Sequence, residues 1–202
     1  MPREPVFRTA VSTREVKTAS RDAPTLRLVT PDQPGMTLSV SDELYQRYAP
    51  DVANMVIRLI GRRHGVEDLV QDVFVEAVRK IGSLREPEAI RGWLYTMTVR
   101  LVYRRLRVSR LRRFLGLDAE RGAETADHLP HRGISPEDRM LLAEVFHVMD
   151  ECATADRVAW CLNRVHGETL QGTAQLCRCS VATVKRRIAR VQKRIDTRFA
   201  DE

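Results

Sequence analysis

Residues 169–190 read TLQGTAQLCRCSVATVKRRIAR. A short segment from Thr169 runs into the tight turn Cys177-Arg178-Cys179, and Ser180 then stands directly before the apolar run Val181, Val184, Ile188. Serine is a favoured N-cap because its hydroxyl accepts from an orphan N–H of the first helical turn. The layout is that of a helix-turn-helix, whose second helix enters the major groove of DNA. That helix continues through Val191, Ile195 and Phe199, with Lys193, Arg194 and Arg198 extending its charge. Ser180, Thr183, Lys185, Arg186, Arg187 and Arg190 lie in its first turns and middle, where such side chains reach base edges and phosphates. A basic run alone is often a solvated helix face. The turn and cap in front of this one argue for recognition.

The composition agrees with a polyanionic partner. The 202 residues hold 34 Lys+Arg against 27 Asp+Glu, a formal charge of +7, and the isoelectric point is near 9.7. The length fits one to two small domains at about 150 residues each, and 43% hydrophobic residues exclude a wholly disordered chain. The longest apolar stretch, Val52 to Ile60, is broken by Asn54 and Arg58, so no membrane insertion is expected. Met1-Pro2-Arg3-Glu4 does not open a secretory signal. The cysteines Cys152, Cys161, Cys177 and Cys179 do not form a disulfide framework in a chain this long, so a reducing cytoplasmic setting is expected. With His147 and His166 they invite a zinc reading, but C-x-C is not the usual ligand spacing and the rest are scattered. No metal and no cofactor is therefore expected. The sequence has no P-loop, no G-x-S-x-G and no H-E-x-x-H, so it does not read as an enzyme.

Working outward, periodicity predicts helices and no sheet. Residues 1–38 mix Arg, Thr, Ser and Pro without helical period and read as a disordered arm. A first helix is predicted from near Ser41, with Leu44, Tyr45, Tyr48, Val52, Met55, Val56, Leu59 and Ile60 on its stripe and Gly61 and Gly65 bracketing its end. A second from about Val66 buries Leu69, Val70, Val73, Phe74, Ala77, Val78 and Ile81 before Gly82-Ser83. A third from about Glu88 buries Ile90, Trp93, Leu94, Met97 and Leu101 and turns strongly basic toward Arg113. Residues 116–135 read as a flexible linker. Ser135-Pro136-Glu137-Asp138 then starts a new block, with helices to about Asp150, from Ala155 to Val165, from Thr169 to Cys177 and after Ser180. The expected fold is all-α, with two helical domains at 39–115 and 136–202.

Two further faces carry interaction chemistry. On the third helix Arg100, Tyr103, Arg104, Arg107 and Arg110 share one side. Cations can follow a nucleic-acid backbone there while Tyr103, with Trp93 or Tyr95, offers a ring on which an unstacked base can stack. Trp93 also sits on the apolar stripe, where the ordinary expectation is core. On the second helix Asp68, Asp72 and Glu76 repeat every four residues beside Gln71. Such like charges repel by a few tenths of a kcal/mol per pair, and in a basic protein an acidic strip suits a basic protein partner better than DNA.

Three segments in this order resemble the extracytoplasmic-function (ECF) group of the sigma-70 family of RNA polymerase sigma factors. Asp68-Leu69-Val70-Gln71-Asp72-Val73-Phe74-Val75 resembles the polymerase-binding helix, Arg91-Gly92-Trp93-Leu94-Tyr95 the start of the promoter-melting helix, and Ser180 to Arg187 the upstream-element recognition helix. The resemblance implies a region 2-like bundle over 39–115 and a region 4-like helix-turn-helix over 136–202. It implies that Asp68, Leu69, Gln71, Asp72, Phe74, Val75 and Glu76 bind the clamp helices of the largest subunit of core RNA polymerase. Trp93, Arg100, Tyr103, Arg104, Arg107 and Arg110 would read and melt the minus-ten element, and the six residues of the C-terminal helix the minus-thirty-five element. Promoter DNA is then a partner, and an anti-sigma factor a further one. Thr98-Val99-Arg100 stands where the family commonly has Ala-Arg-Asn, and Arg178 stands where it has a turn glycine. The competing reading is a stand-alone helix-turn-helix regulator whose first domain serves dimerisation; a nucleic-acid enzyme is more distant.

Overall fold

The computed structural model describes residues 34–84, 86–116 and 135–200. The arm expected over 1–38 and the linker over 116–135 fall almost wholly outside them. All regular elements of the described residues are helical: α1 Pro34–Ile60, α2 Val66–Lys80, α3 Ile90–Phe114, α4 Pro136–Glu151, α5 Thr154–Trp160, α6 Leu170–Leu176 and α7 Val181–Ala200. Helix α1 begins at Pro34 rather than near Ser41. It continues through Pro50, whose missing N–H deletes one ladder bond. Burial of Val52, Met55, Val56 and Leu59 beyond that point holds the helix together, at about 1.5–3 kcal/mol for each large side chain.

Helices α1, α2 and α3 pack pairwise into a bundle around Leu44, Met55, Val73, Leu94 and Val102, all fully buried. Gly61 closes α1 with φ +75°, and its N–H donates to the Ile57 carbonyl at 2.7 Å, a left-handed C-cap. In the second unit α5 packs along α7 and α6 crosses α7, with Trp160 buried and its Nε1 donating to Gln192 Oε1 at 3.1 Å. The helix expected from Ala155 to Val165 changes character midway. After Trp160 it widens into a π-turn, Cys161–Val165, with the His166 N–H reaching back to the Cys161 carbonyl at 2.8 Å.

The units meet. The π-turn lies against α1, and α5 and α6 lie against α3, so the buried residues of both form one continuous core. The Phe146 ring occupies the space a Gly61 side chain would need. Arg110 Nη1 donates to the Cys152 carbonyl at 3.0 Å, and Tyr95 packs edge-on to His166 at 5.7 Å between ring centroids.

Candidate polymerase and nucleic-acid interfaces

Helix α2 turns its acidic strip outward. Asp68, Gln71 and Asp72 are exposed, and Val75 is 50% exposed beside them. Leu69 and Phe74, expected on the same surface, are 4% and 5% exposed and pack into the bundle, where they hold the helix in place. Phe74 meets the edge of Tyr45 at 4.9 Å. Tyr45, assigned to the core by periodicity, is 42% exposed and so adds a ring to this surface that the sequence reading missed. Glu76 is already engaged, accepting from Lys80 Nζ at 2.5 Å with Arg100 at 3.9 Å. The Lys80 bond, with the cations of Arg100 and Arg104 behind it, holds its carboxyl below the usual range despite some burial.

Helix α3 carries the cationic strip. Arg100, Tyr103, Arg104, Arg107 and Arg110 are all exposed. Trp93 is half-buried against the core. Thr98 is fully buried, its hydroxyl donating to the Leu94 carbonyl at 2.8 Å, and it takes no part in the strip. Toward the C-terminus the strip gains an apolar component absent from the sequence reading: Val108, Leu111 and Phe114 are exposed and share a cavity of about 510 Å³ with Arg104, Arg107 and Arg110. At the other end Thr96, Val99, Arg100 and Tyr103 line a cavity of about 180 Å³ against Leu176 and Arg178 of the second unit.

In the helix-turn-helix, Ser180 caps α7 as expected: the Thr183 N–H donates to its Oγ at 3.2 Å, and the two hydroxyls lie 2.9 Å apart. Arg178 takes the left-handed conformation with φ +50°, so the turn keeps its geometry without glycine. Lys185 and Arg186 are exposed. Arg187 and Arg190 have partners within the unit. Arg190 Nε and Nη2 donate to Asp156 Oδ2 and Oδ1 at 2.8 and 2.7 Å, and Arg187 lies 3.9 Å from the same carboxylate and donates to Cys179 Sγ at 3.5 Å. Asp156 sits buried on α5, so both arginines tie α7 to its neighbour. A groove of about 910 Å³ beside α7 is lined by Lys185, Lys193, Gln192 and Arg164, the last a π-turn cation that the sequence reading did not single out.

Burial pushes the Cys161 thiol up to about 12 and Cys177 to about 11, so both are protonated at neutral pH. Among the described residues no three His, Cys, Asp or Glu side chains converge as a metal site. No described helix is long and apolar enough to cross a membrane.

Residues 44–112 match the sigma-70 region 2 family, the stretch that holds both charged strips. The chain is 30% identical over 165 residues to the ECF RNA polymerase sigma-E factor of Haemophilus influenzae, covering 77% of this chain and 85% of that one. It is 30% identical over 164 residues to its Escherichia coli K12 counterpart, covering 77% and 84%. The fold is similar to that of the sigma factor RpoE in complex with the anti-sigma factor NepR from Bartonella quintana, with TM-score 0.57 and 22% identity over 77% of this chain and 94% of that one. It is also similar to CnrH in complex with the cytosolic domain of CnrY, with TM-score 0.54 and 20% identity over 82% and 90%. With 30% identity sustained over most of the length of those relatives, the chain belongs to the ECF family of RNA polymerase sigma factors.

Proposed function

We propose that this alternative sigma factor, which directs promoter-specific transcription initiation, divides its contacts among three helices. The outer strip of α2, formed by Asp68, Gln71, Asp72 and Val75 with Glu76 at its margin, docks on the clamp helices of the largest subunit of core RNA polymerase. The strip of α3 from Arg100 to Arg110 follows the minus-ten backbone, with Tyr103 as the stacking ring. On α7, Lys185 and Arg186 lead the reading of the minus-thirty-five element near the capped N-terminus at Ser180 and Thr183. In this reading α2 and α3 belong to a domain over 39–115 and α7 to one over 136–202, joined by a linker over 116–135. The chain supplies no chemistry of its own; core polymerase joins the nucleotides. Its place is the cytoplasm, at the nucleoid when polymerase-bound, and an anti-sigma protein is a further partner this reading implies.

The observation that carries the reading is the segregation of charge in one bundle. An outward acidic strip on α2 adjoins a cationic strip on α3. A surface for a protein and a surface for a polyanion thus lie side by side, as a subunit bridging polymerase to DNA requires. A stand-alone regulator has no use for the acidic strip and is not favoured. Reconstitution tests the reading: core polymerase with the purified chain on a genomic fragment pool is expected to yield transcripts whose start sites share upstream motifs. Start sites identical to those of core polymerase alone would refute it.

A further inference from the structure

We infer that the cavity between α3 and the helix-turn-helix is a binding site for a small aromatic carboxylate, a single ring bearing one negative charge. The cavity holds about 180 Å³. An apolar cavity of about 150 Å³ is enough to take up benzene, so a single ring with a carboxylate at the mouth is the size that fits. The walls are Val99, Ala155, Val158 and Leu176, and Val99 and Val158 are 4% and 1% exposed. These side chains offer water no hydrogen bond, and walls of that kind with a few charged groups at the rim are the usual make-up of a small-molecule site.

The charge of the ligand follows from the rest of the lining. Arg100, Arg178 and Arg187 complete it, and no acidic side chain does. All three have donors to spare. The Arg178 guanidinium, carried on the left-handed turn, has no hydrogen bond or ion pair among the described residues. Arg100 stands 3.9 Å from Glu76 and Arg187 3.9 Å from Asp156, both beyond hydrogen-bonding distance. Like charges around a partly enclosed apolar space repel, and an anion among them relieves the repulsion. Inorganic phosphate would leave the apolar walls without contacts, and a neutral ring would leave the cations unpaired. A ring with a carboxylate satisfies both, the carboxylate by charge-assisted hydrogen bonds and the ring by filling the walls, with Tyr103 as an aromatic neighbour. Arg100 and Tyr103 also belong to the strip of α3, so an occupied cavity draws on side chains that would otherwise meet single-stranded DNA. That consequence rests on the assignment of the strip to DNA; the site does not.

Isothermal titration calorimetry of the full-length chain at fixed ionic strength tests the site, with sodium benzoate as the probe and benzyl alcohol and sodium acetate as its uncharged and ringless counterparts. Benzoate is expected to bind saturably with a Kd of about 1 mM or tighter, and each counterpart at least about tenfold more weakly. Arg178→Gly, which suits the left-handed turn, is expected to weaken benzoate by about tenfold through loss of one charged donor. Ala155→Leu, which fills the cavity, is expected to abolish binding. Circular dichroism checks that both variants keep their helicity. Absence of saturable benzoate binding by the wild-type chain, equal affinity for benzyl alcohol, or unchanged benzoate affinity in either folded variant would overturn the site. If Ala155→Leu loses helicity, Arg178→Gly on the exposed turn decides. Saturating benzoate is further expected to weaken binding of a fluorescent single-stranded oligonucleotide by the wild-type chain severalfold. Benzoate binding that responds to both variants while oligonucleotide affinity stays unchanged would support the site, overturn its coupling to DNA and place the fault in the assignment of the α3 strip.

Discussion

Helices α3 and α7 are both rich in arginine, yet their cations do different work. On α3 Arg100 lies 3.9 Å from Glu76 and Arg110 donates to the Cys152 carbonyl, while Arg104 and Arg107 between them are exposed around an apolar cavity and have no acid partner among the described residues. On α7 two of the expected DNA contacts, Arg187 and Arg190, converge on one buried carboxylate, Asp156, and Arg198 donates to Glu144 at 2.7 Å. Identical side chains at helical spacing are thus left open to solvent or engaged within the fold according to what the neighbouring helix offers. A paired surface arginine is worth little to stability by itself, but an acid held within a unit becomes costly when its partner is removed.

The strongest way to break this contrast is to remove the acid. Asp156→Ala is expected to lower the melting temperature by on the order of 5–10 °C, since Asp156 also lies in the first turn of α5. A melting temperature within about a degree of wild type would mean that Arg187 and Arg190 are not anchors. The converse pair is expected to part stability from binding. Lys185→Ala with Arg186→Ala should weaken duplex promoter binding by about 1 kcal/mol or more per side chain and flatten its salt dependence, with melting changed by less than about 0.5 kcal/mol. Calorimetric melts beside binding titrations at several salt concentrations would read both quantities.

A smaller effect comes from pH. His166 lies where the π-turn meets the bundle, and burial, with the cations Arg58 and Arg91 adding to it and Asp51 opposing, lowers its pKa from 6.5 to about 4. Its Nδ1 is buried without a partner, and Glu168 stands 3.9 Å from its Nε2. The neutral imidazole is therefore the form that fits. Its contribution is complete above about 6.5 and is lost as pH falls toward about 4. Melting temperature is expected to decline over that window, and His166→Phe to flatten the decline. A wild-type profile with the same slope as His166→Phe would contradict this role. The smallest effect is expected at the turn: Arg178→Gly relieves a left-handed arginine and should add about 1 kcal/mol, read as a higher melting temperature. A lower one would show that the arginine's contacts outweigh its strain.

Much of this architecture is written locally and could be read from the sequence. The start of α2 at Val66, the end of the third helix near Phe114, the Pro136 start of α4 and the Ser180 cap all depend on residues within a turn or two of each other. The outward acids of α2 follow from the same periodicity. What escaped depends on distant pairing. Arg157 caps α1 across 97 positions and Arg190 meets Asp156 across 34, so periodicity cannot say which exposed-looking cations are committed. A signal was nonetheless present: Asp156-Arg157 interrupt a short helix that otherwise runs into Val158, Ala159 and Trp160, and charges on so apolar an element demand partners. Leu69 and Phe74 were assigned to both the core and the polymerase surface, and packing places them in the core. Tyr45 went the other way: its neighbour Leu44 takes the fully buried place on α1, and one residue further round the helix Tyr45 is turned toward the surface.

The central claim is that α2 binds polymerase while α7 binds DNA, and the most direct measurement is the affinity of labelled core RNA polymerase for three folded proteins. These are the wild-type chain, Asp68→Lys with Asp72→Lys, and Lys185→Ala with Arg186→Ala. Reversal of the two acids is expected to weaken core binding by about 100-fold or more, on the scale of several kcal/mol for like charges brought together in an interface; the α7 pair is expected to bind as the wild type does. Core binding unaltered by reversal of Asp68 and Asp72 would contradict the account.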